Sequence, residues 1–190
     1  MEPLEIAVKM EIEGKQFYQD ASNKCSDELG KSLFSRLAEE EDFHATKARE
    51  IAESLQQGVT VSNIDESFDK GAILNSIFAE ARNEMELSQE VVSSELDIVK
   101  VALDMEEKSQ QFYADQSGGS KTDFERNFFE ALKREERGHY LALVDYREYL
   151  LDPTSWFTKF EHISLDGAWR HSPHYMLTGS VGATGRESAT

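Results

Sequence analysis

The sequence predicts an all-α protein. Its expected form is a four-helix bundle of two pseudo-symmetric helical hairpins, joined by one long crossover with a short fifth helix and followed by an irregular C-terminal tail. Three observations predict it. The 190 residues include only three prolines, Pro3, Pro153 and Pro173, so nothing between residues 4 and 152 interrupts a helix. Apolar residues recur in alternating steps of three and four along four long stretches. The chain also repeats itself: shifted by 95 residues, segment 4–44 matches 99–139 without a gap at 13 of 41 positions.

The first helix is expected from Pro3, a favourable first-turn residue, to about Ala21. The second starts near Ser26, with Asp27 and Glu28 in its first turn, and runs to about Gln57, where Gly58 stops it. The third spans about 94–117 and ends at Ser117-Gly118-Gly119. The fourth begins with a capping box, Thr122-x-x-Glu125, and ends near Leu151, before Pro153. Short loops within each pair make the two helices antiparallel neighbours. Residues 58–92 are too long for a hairpin loop. They hold the fifth helical stretch, about 68–86, whose Ile73, Leu74, Ile77, Phe78 and Ala81 form one apolar stripe, a cover over the bundle or a dimer contact.

We divide the chain into a bundle, 1–152, and an extension, 153–190. The extension holds both tryptophans, four of the eleven glycines and three of the five histidines. Trp156, Phe157 and Phe160 are expected to dock its first part, and its end, TGSVGATGRESAT, reads as disordered.

The repeat carries the chemistry. Each half reads E-x5-F-Y and then E-E-x2-H, and the Glu that precedes His by three lies 30 positions after the first Glu of the motif. On the second helix Phe34, Leu37, Glu41, His44, Ala48, Ile51 and Leu55 follow the bundle seam; on the fourth, Phe129, Leu132, Glu136, His139, Leu143, Tyr146 and Leu150 do the same. Leu4, Ala7, Glu11 and Tyr18 share a face of the first helix, matched by Val99, Ala102, Glu106 and Tyr113 on the third. Four glutamates and two histidines thus fall inside apolar stripes at one level. Buried unpaired carboxylates cost several kcal/mol each. Two divalent cations cancel four glutamates, while neutral histidines add nothing. Glu at i and His at i+3 share one helical face, so two such helices opposite two single-Glu helices complete a dinuclear carboxylate site. A lone E-x-x-H is more often a solvated helix face; its duplication on two apolar seams argues otherwise.

Composition bounds the alternatives. With 37 acids against 20 bases the net charge is −17, carried entirely by residues 1–152, which opposes binding to nucleic acid or an anionic membrane. Apolar runs are far shorter than a membrane span, and the acidic N-terminus lacks signal-peptide character, so a cytoplasmic location is expected. The single cysteine, Cys25, excludes a disulfide framework, a four-cysteine zinc or rubredoxin knot and an iron–sulfur cluster held by this chain alone. A metal held by carboxylate and imidazole is iron, manganese or zinc.

At EIEGKQFY…LAEEEDFH and DMEEKSQQFY…LKREERGH, over about residues 3–151, the sequence resembles the rubrerythrin family of the ferritin-like superfamily, in a stand-alone form without a rubredoxin domain. The resemblance implies a ferritin-like four-helix bundle with a non-haem di-iron centre: two iron ions, Fe(II) or Fe(III), with an oxo or hydroxo bridge, for which manganese or zinc can substitute. It assigns Glu11 and His44 to one iron, Glu106 and His139 to the other, and Glu41 and Glu136 as bridges. It also implies reduction of hydrogen peroxide or dioxygen with electrons from an external donor, such as a separate rubredoxin-like protein, or alternatively oxidation and delivery of Fe(II). A metal-free helical interaction module is a third reading. Related bundles associate, so a homodimer is expected. Rubrerythrins proper carry an extra carboxylate three residues beyond the third-helix ligand; here that position is Ser109, with Glu107 nearby. This brings the site closer to a plain six-ligand one.

Other residues have two readings each. Tyr18 and Tyr113 can hydrogen-bond a ligand carboxylate across the bundle or intercept a stray oxidant; otherwise they are core aromatics whose hydroxyls need partners. Gly14 and Ser109, equivalent in the repeat, can leave room for a small oxidant; otherwise Gly14 is a chance glycine that costs about 1 kcal/mol of helix stability. Glu40 and Glu135, one position off the seam, read as a solvated flank. Cys25 reads as a passive small residue at a helix junction. His171-Ser172-Pro173-His174 invites a metal reading that the proline's break in spacing opposes.

Overall fold

A computed structural model describes residues 2–57 and 89–158. Four long helices dominate it: α1 (Pro3–Lys24), α2 (Glu28–Gln56), α3 (Gln89–Gly119) and α4 (Asp123–Leu151). They pair as the expected hairpins, α1 against α2 and α3 against α4, in a ferritin-like bundle. The fifth helix at 68–86, together with Phe160, the 171–174 segment and the C-terminal end, lies outside the described residues.

The helix ends follow from local chemistry. Pro3 sits in the first turn of α1, and the Glu5 carboxylate turns back to accept the Glu2 amide at 3.1 Å. Asp27 caps α2 rather than lying within its first turn, accepting the Gly30 amide at 2.9 Å. The Thr122–Glu125 box opens α4 as expected: Glu125 N–H donates to Thr122 Oγ1 at 3.1 Å and Thr122 N–H to Glu125 Oε2 at 3.3 Å. Two ends differ from expectation. α1 continues to Lys24, and α3 already includes Gln89 because Val92 and Leu96, in a stretch that looks polar, pack against the core.

That core consists of two apolar layers with a polar layer between them. One holds Tyr18, Leu33, Phe34, Leu37, Val99, Leu143, Tyr146 and Trp156; the other holds Leu4, Ala7, Ala48, Tyr113, Phe128, Phe129 and Leu132. Trp156 and Phe157, in the helical turn at 153–158, seat that turn on Tyr149, with ring centroids 5.8 and 6.0 Å away. Their docking role is therefore seen.

A buried clamp that the sequence did not announce ties the hairpins at one end. Glu95 of α3, 2% exposed, accepts the amides of Ser26 and Asp27 at 2.9 and 3.0 Å and the Tyr146 hydroxyl. The Tyr146 hydroxyl also lies 3.2 Å from Asp27 Oδ2 and 3.8 Å from Cys25 Sγ. Cys25 is a packed, passive thiol, pushed up to about 12 by burial first and the Glu95 charge second. Gly30 is what lets this cluster close. A Cβ there would collide with the Tyr146 hydroxyl and stand 2.6 Å from Cys25 Sγ.

Helix propensity alone would make Gly30→Ala stabilising by about 1 kcal/mol. Because Glu95 pins Tyr146, overpacking wins, and the substitution is expected to cost about 1–3 kcal/mol, read as a lower urea midpoint at unchanged m-value.

Candidate metal centre

The polar layer is built by the seam registers of all four helices. α1 contributes Glu11, α2 Glu41 and His44, α3 Glu106, and α4 Glu136 and His139, and each is no more than 3% exposed. They form two overlapping groups, Glu11–Glu41–His44–Glu136 and Glu41–Glu106–Glu136–His139. Within each, one donor atom per residue lies within 4.8 Å of the others. Glu41 and Glu136 belong to both groups, the geometry of shared carboxylates. Both imidazoles turn Nδ1 inward. His44 Nδ1 is 3.4 Å from Glu11 Oε2 and 3.8 Å from Glu136 Oε1; His139 Nδ1 is 3.2 Å from Glu41 Oε1 and 3.6 Å from Glu106 Oε1. The two rings stack at 5.6 Å.

Around this set the tyrosines cross over. Tyr18 of α1 donates to Glu106 of α3, and Tyr113 of α3 donates to Glu11 of α1. Of the two readings of these residues, a hydrogen bond to a carboxylate of the cluster is the one the structure bears out. Each hairpin thus orients the other's carboxylate.

Glu40 corrects its expectation. It is 3% exposed rather than solvated, taking Arg36 Nε at 2.8 Å and lying 3.1 Å from His139 Nε2. One position off the seam is still interior where α2 approaches α4. With its proton on Nε2 facing Glu40, the neutral His139 ring would turn its Nδ1 lone pair to the cluster. Its repeat partner Glu135 is half-buried. Gly14 is corrected as well. A Cβ there would press on Glu41 Cδ at 3.3 Å, so the space it leaves is filled by the Glu41 side chain rather than open to an oxidant. Ser109 is half-buried.

The electrostatics show what the cluster lacks. Burial, then the neighbouring Glu41 charge, raises Glu11 to about 8. Burial, then Glu41, Glu106 and Glu11, drives Glu136 well above the carboxylate range. Glu41 is held below that range despite its burial, by hydrogen bonds from Glu11, His139 and His44. Burial alone would lower both histidines; instead Glu11 and Glu41 lift His44 to about 9, and Glu106, Glu40 and Glu41 lift His139 well above its ordinary value. Protons thus stand where positive charge is needed. Even so, Glu11 Oε2, Glu106 Oε2 and Glu136 Oε1 are buried without a hydrogen-bond partner. Carboxylate oxygens and imidazole lone pairs converging in a dry layer fit two metal ions.

The fold and site therefore define a four-helix-bundle protein with a buried carboxylate–histidine cluster able to hold metal. The rubrerythrin family profile matches residues 2–145, and the chain belongs to the rubrerythrin family. A solved structure of a hypothetical protein from Pyrococcus furiosus is similar at a TM-score of 0.59, with 25% identity over 80% of this chain and 89% of that one. No curated protein matches.

The raised groups set the pH response of the metal-free chain. His44 favours folding fully below 6.5 and loses that contribution as pH rises toward 9; Glu11 loses its contribution between 4.5 and 8. The melting temperature of metal-free protein is expected to fall from pH 6.5 to 9, whereas metal-loaded protein, whose ligands are already deprotonated, should not show that fall. Calorimetry at matched ionic strength checks it.

Proposed function

We propose that this protein is a di-iron oxidoreductase that reduces hydrogen peroxide or dioxygen with electrons from a separate donor, a rubredoxin-like protein being one candidate. The observation that supports it most is the pair of overlapping four-residue groups, with partnerless carboxylate oxygens facing inward. Glu11 and His44 would hold one ion and Glu106 and His139 the other, with Glu41 and Glu136 between them. A pair of iron ions held there would supply two electrons together, the chemistry needed to cleave an O–O bond without releasing a radical. For peroxide, two electrons and two protons yield two waters.

The chain's own residues do the rest. Tyr18 and Tyr113 fix the rotamers of Glu106 and Glu11, Glu40 fixes the ring of His139, and the two apolar layers keep bulk water from the carboxylates. No helix among the described residues is long and apolar enough to cross a membrane. We place the protein in the cytoplasm as a homodimer.

A second reading is supported by Ser109, which stands where rubrerythrins proper carry a further carboxylate. A plain six-ligand site suits oxidation or delivery of Fe(II). Stopped-flow mixing of the anaerobic Fe(II) protein separates the two readings. Oxidation much faster by peroxide than by dioxygen is expected for the reductase. The reverse order would establish the ferroxidase reading, and inertness to both would end the redox assignment.

A further inference from the structure

The two halves of the bundle treat their tyrosines differently beyond the metal layer. Tyr113 stacks on Phe129 (6.2 Å, 19°), and Tyr18 stacks on Phe34 in the same way (6.1 Å, 19°). From Phe129 the aromatic row passes to Phe128 at 5.7 Å. From Phe34 it reaches Tyr146 at 5.9 Å, Tyr149 at 6.0 Å and Trp156 at 5.8 Å. The repeat positions that match Tyr146 and Tyr149 are Ile51 and Ser54, which no oxidant attacks readily. One arm therefore runs on through oxidisable rings, and the other does not.

We infer that Tyr18, Tyr146, Tyr149 and Trp156, with Phe34 as an unoxidised spacer between the first two, form a conduit that carries oxidising equivalents away from the metal layer when no donor protein is present. This rests on the redox reading above. Beyond the metal layer each phenol has a carboxylate at hand: Tyr146 donates to Glu95, and the Tyr149 hydroxyl lies 3.4 Å from Asp27 Oδ1. An electron can leave either phenol while its proton shifts to that oxygen, and the proton returns when the next ring refills the hole. An oxidised indole adds oxygen irreversibly, so the hole is trapped at Trp156, the end of the row. That residue is buried but flanked by exposed Ser155 and Thr158.

The balance closes without a further reagent. Hydrogen peroxide takes two electrons and two protons and becomes two waters. Trp156 and one water together release two electrons and two protons, and the oxygen of that water stays on the indole. When a small thiol is present, it supplies the electrons instead and Trp156 survives.

The test uses the full-length iron-loaded protein, a limited dose of hydrogen peroxide and no donor, followed by peptide mass spectrometry. Peroxide consumption is measured in the same samples. The expected result is one added oxygen on Trp156, absent from metal-free protein treated alike and suppressed by added thiol. Tyr149→Phe, whose fold is checked by circular dichroism, should consume peroxide as before yet lose most of the Trp156 mark. Consumption with oxygen only on methionines or Cys25, spread equally to Trp169, or on Trp156 regardless of Tyr149→Phe would overturn the conduit and leave the redox reading standing. No peroxide consumption at all would overturn both.

Discussion

Everything in this fold accommodates one electrostatic problem: four carboxylates and two imidazoles held at a single level inside an apolar bundle. In water such groups need nothing. Here each is almost fully buried, and the cost of several kcal/mol per unpaired charge falls on the fold. The metal-free chain meets it in part by taking up protons, which is why Glu11, Glu136, His44 and His139 hold theirs to unusually high pH. Protons satisfy charge but not geometry, and several inward-facing oxygens keep no partner. Two divalent cations satisfy both.

The surrounding structure is arranged to hold that layer in place. The hairpins meet mainly through side chains, and the crossed tyrosine–glutamate bonds are among the links between them. At the far end the Glu95 clamp joins the start of α3 to the α1–α2 junction and to Tyr146. A carboxylate network of this kind rigidifies only when fully satisfied. The Glu95 network is satisfied by backbone amides and phenols, and this separates a structural acid from the acids of the central cluster.

Much of this was legible in the sequence because the residues of the cluster occupy seam positions. A glutamate three residues before a histidine, both in step with Phe34, Leu37 and Ala48, has one possible facing direction once the helix is granted. The 95-residue repeat then places the second copy opposite. The tyrosines followed from their spacing, two turns along the same face. Glu40 was not legible, because burial one step off the seam depends on how closely α2 approaches α4, a tertiary quantity with no local signature. Glu95 and the early part of α3 were hidden for a related reason: the stretch reads as polar, and its partners, Asp27 and Tyr146, are distant in sequence. Gly14 looked like spare volume until the Glu41 side chain was seen to fill it.

The duplication also explains how one motif yields two similar but unequal half-sites. Glu11 and Glu106, His44 and His139, Tyr18 and Tyr113 are interchangeable by symmetry, whereas Glu40 against half-buried Glu135 and Tyr146 against Ile51 are not. The central claim concerns what the symmetric set holds, and metal stoichiometry tests it most directly. Equilibrium dialysis against Fe(II) under anaerobic conditions, with metal counted per chain, should give two ions for the natural sequence and neither for Glu41→Ala, which removes a carboxylate common to both groups. Fewer than two ions in the natural chain, or two retained in the variant, would contradict it.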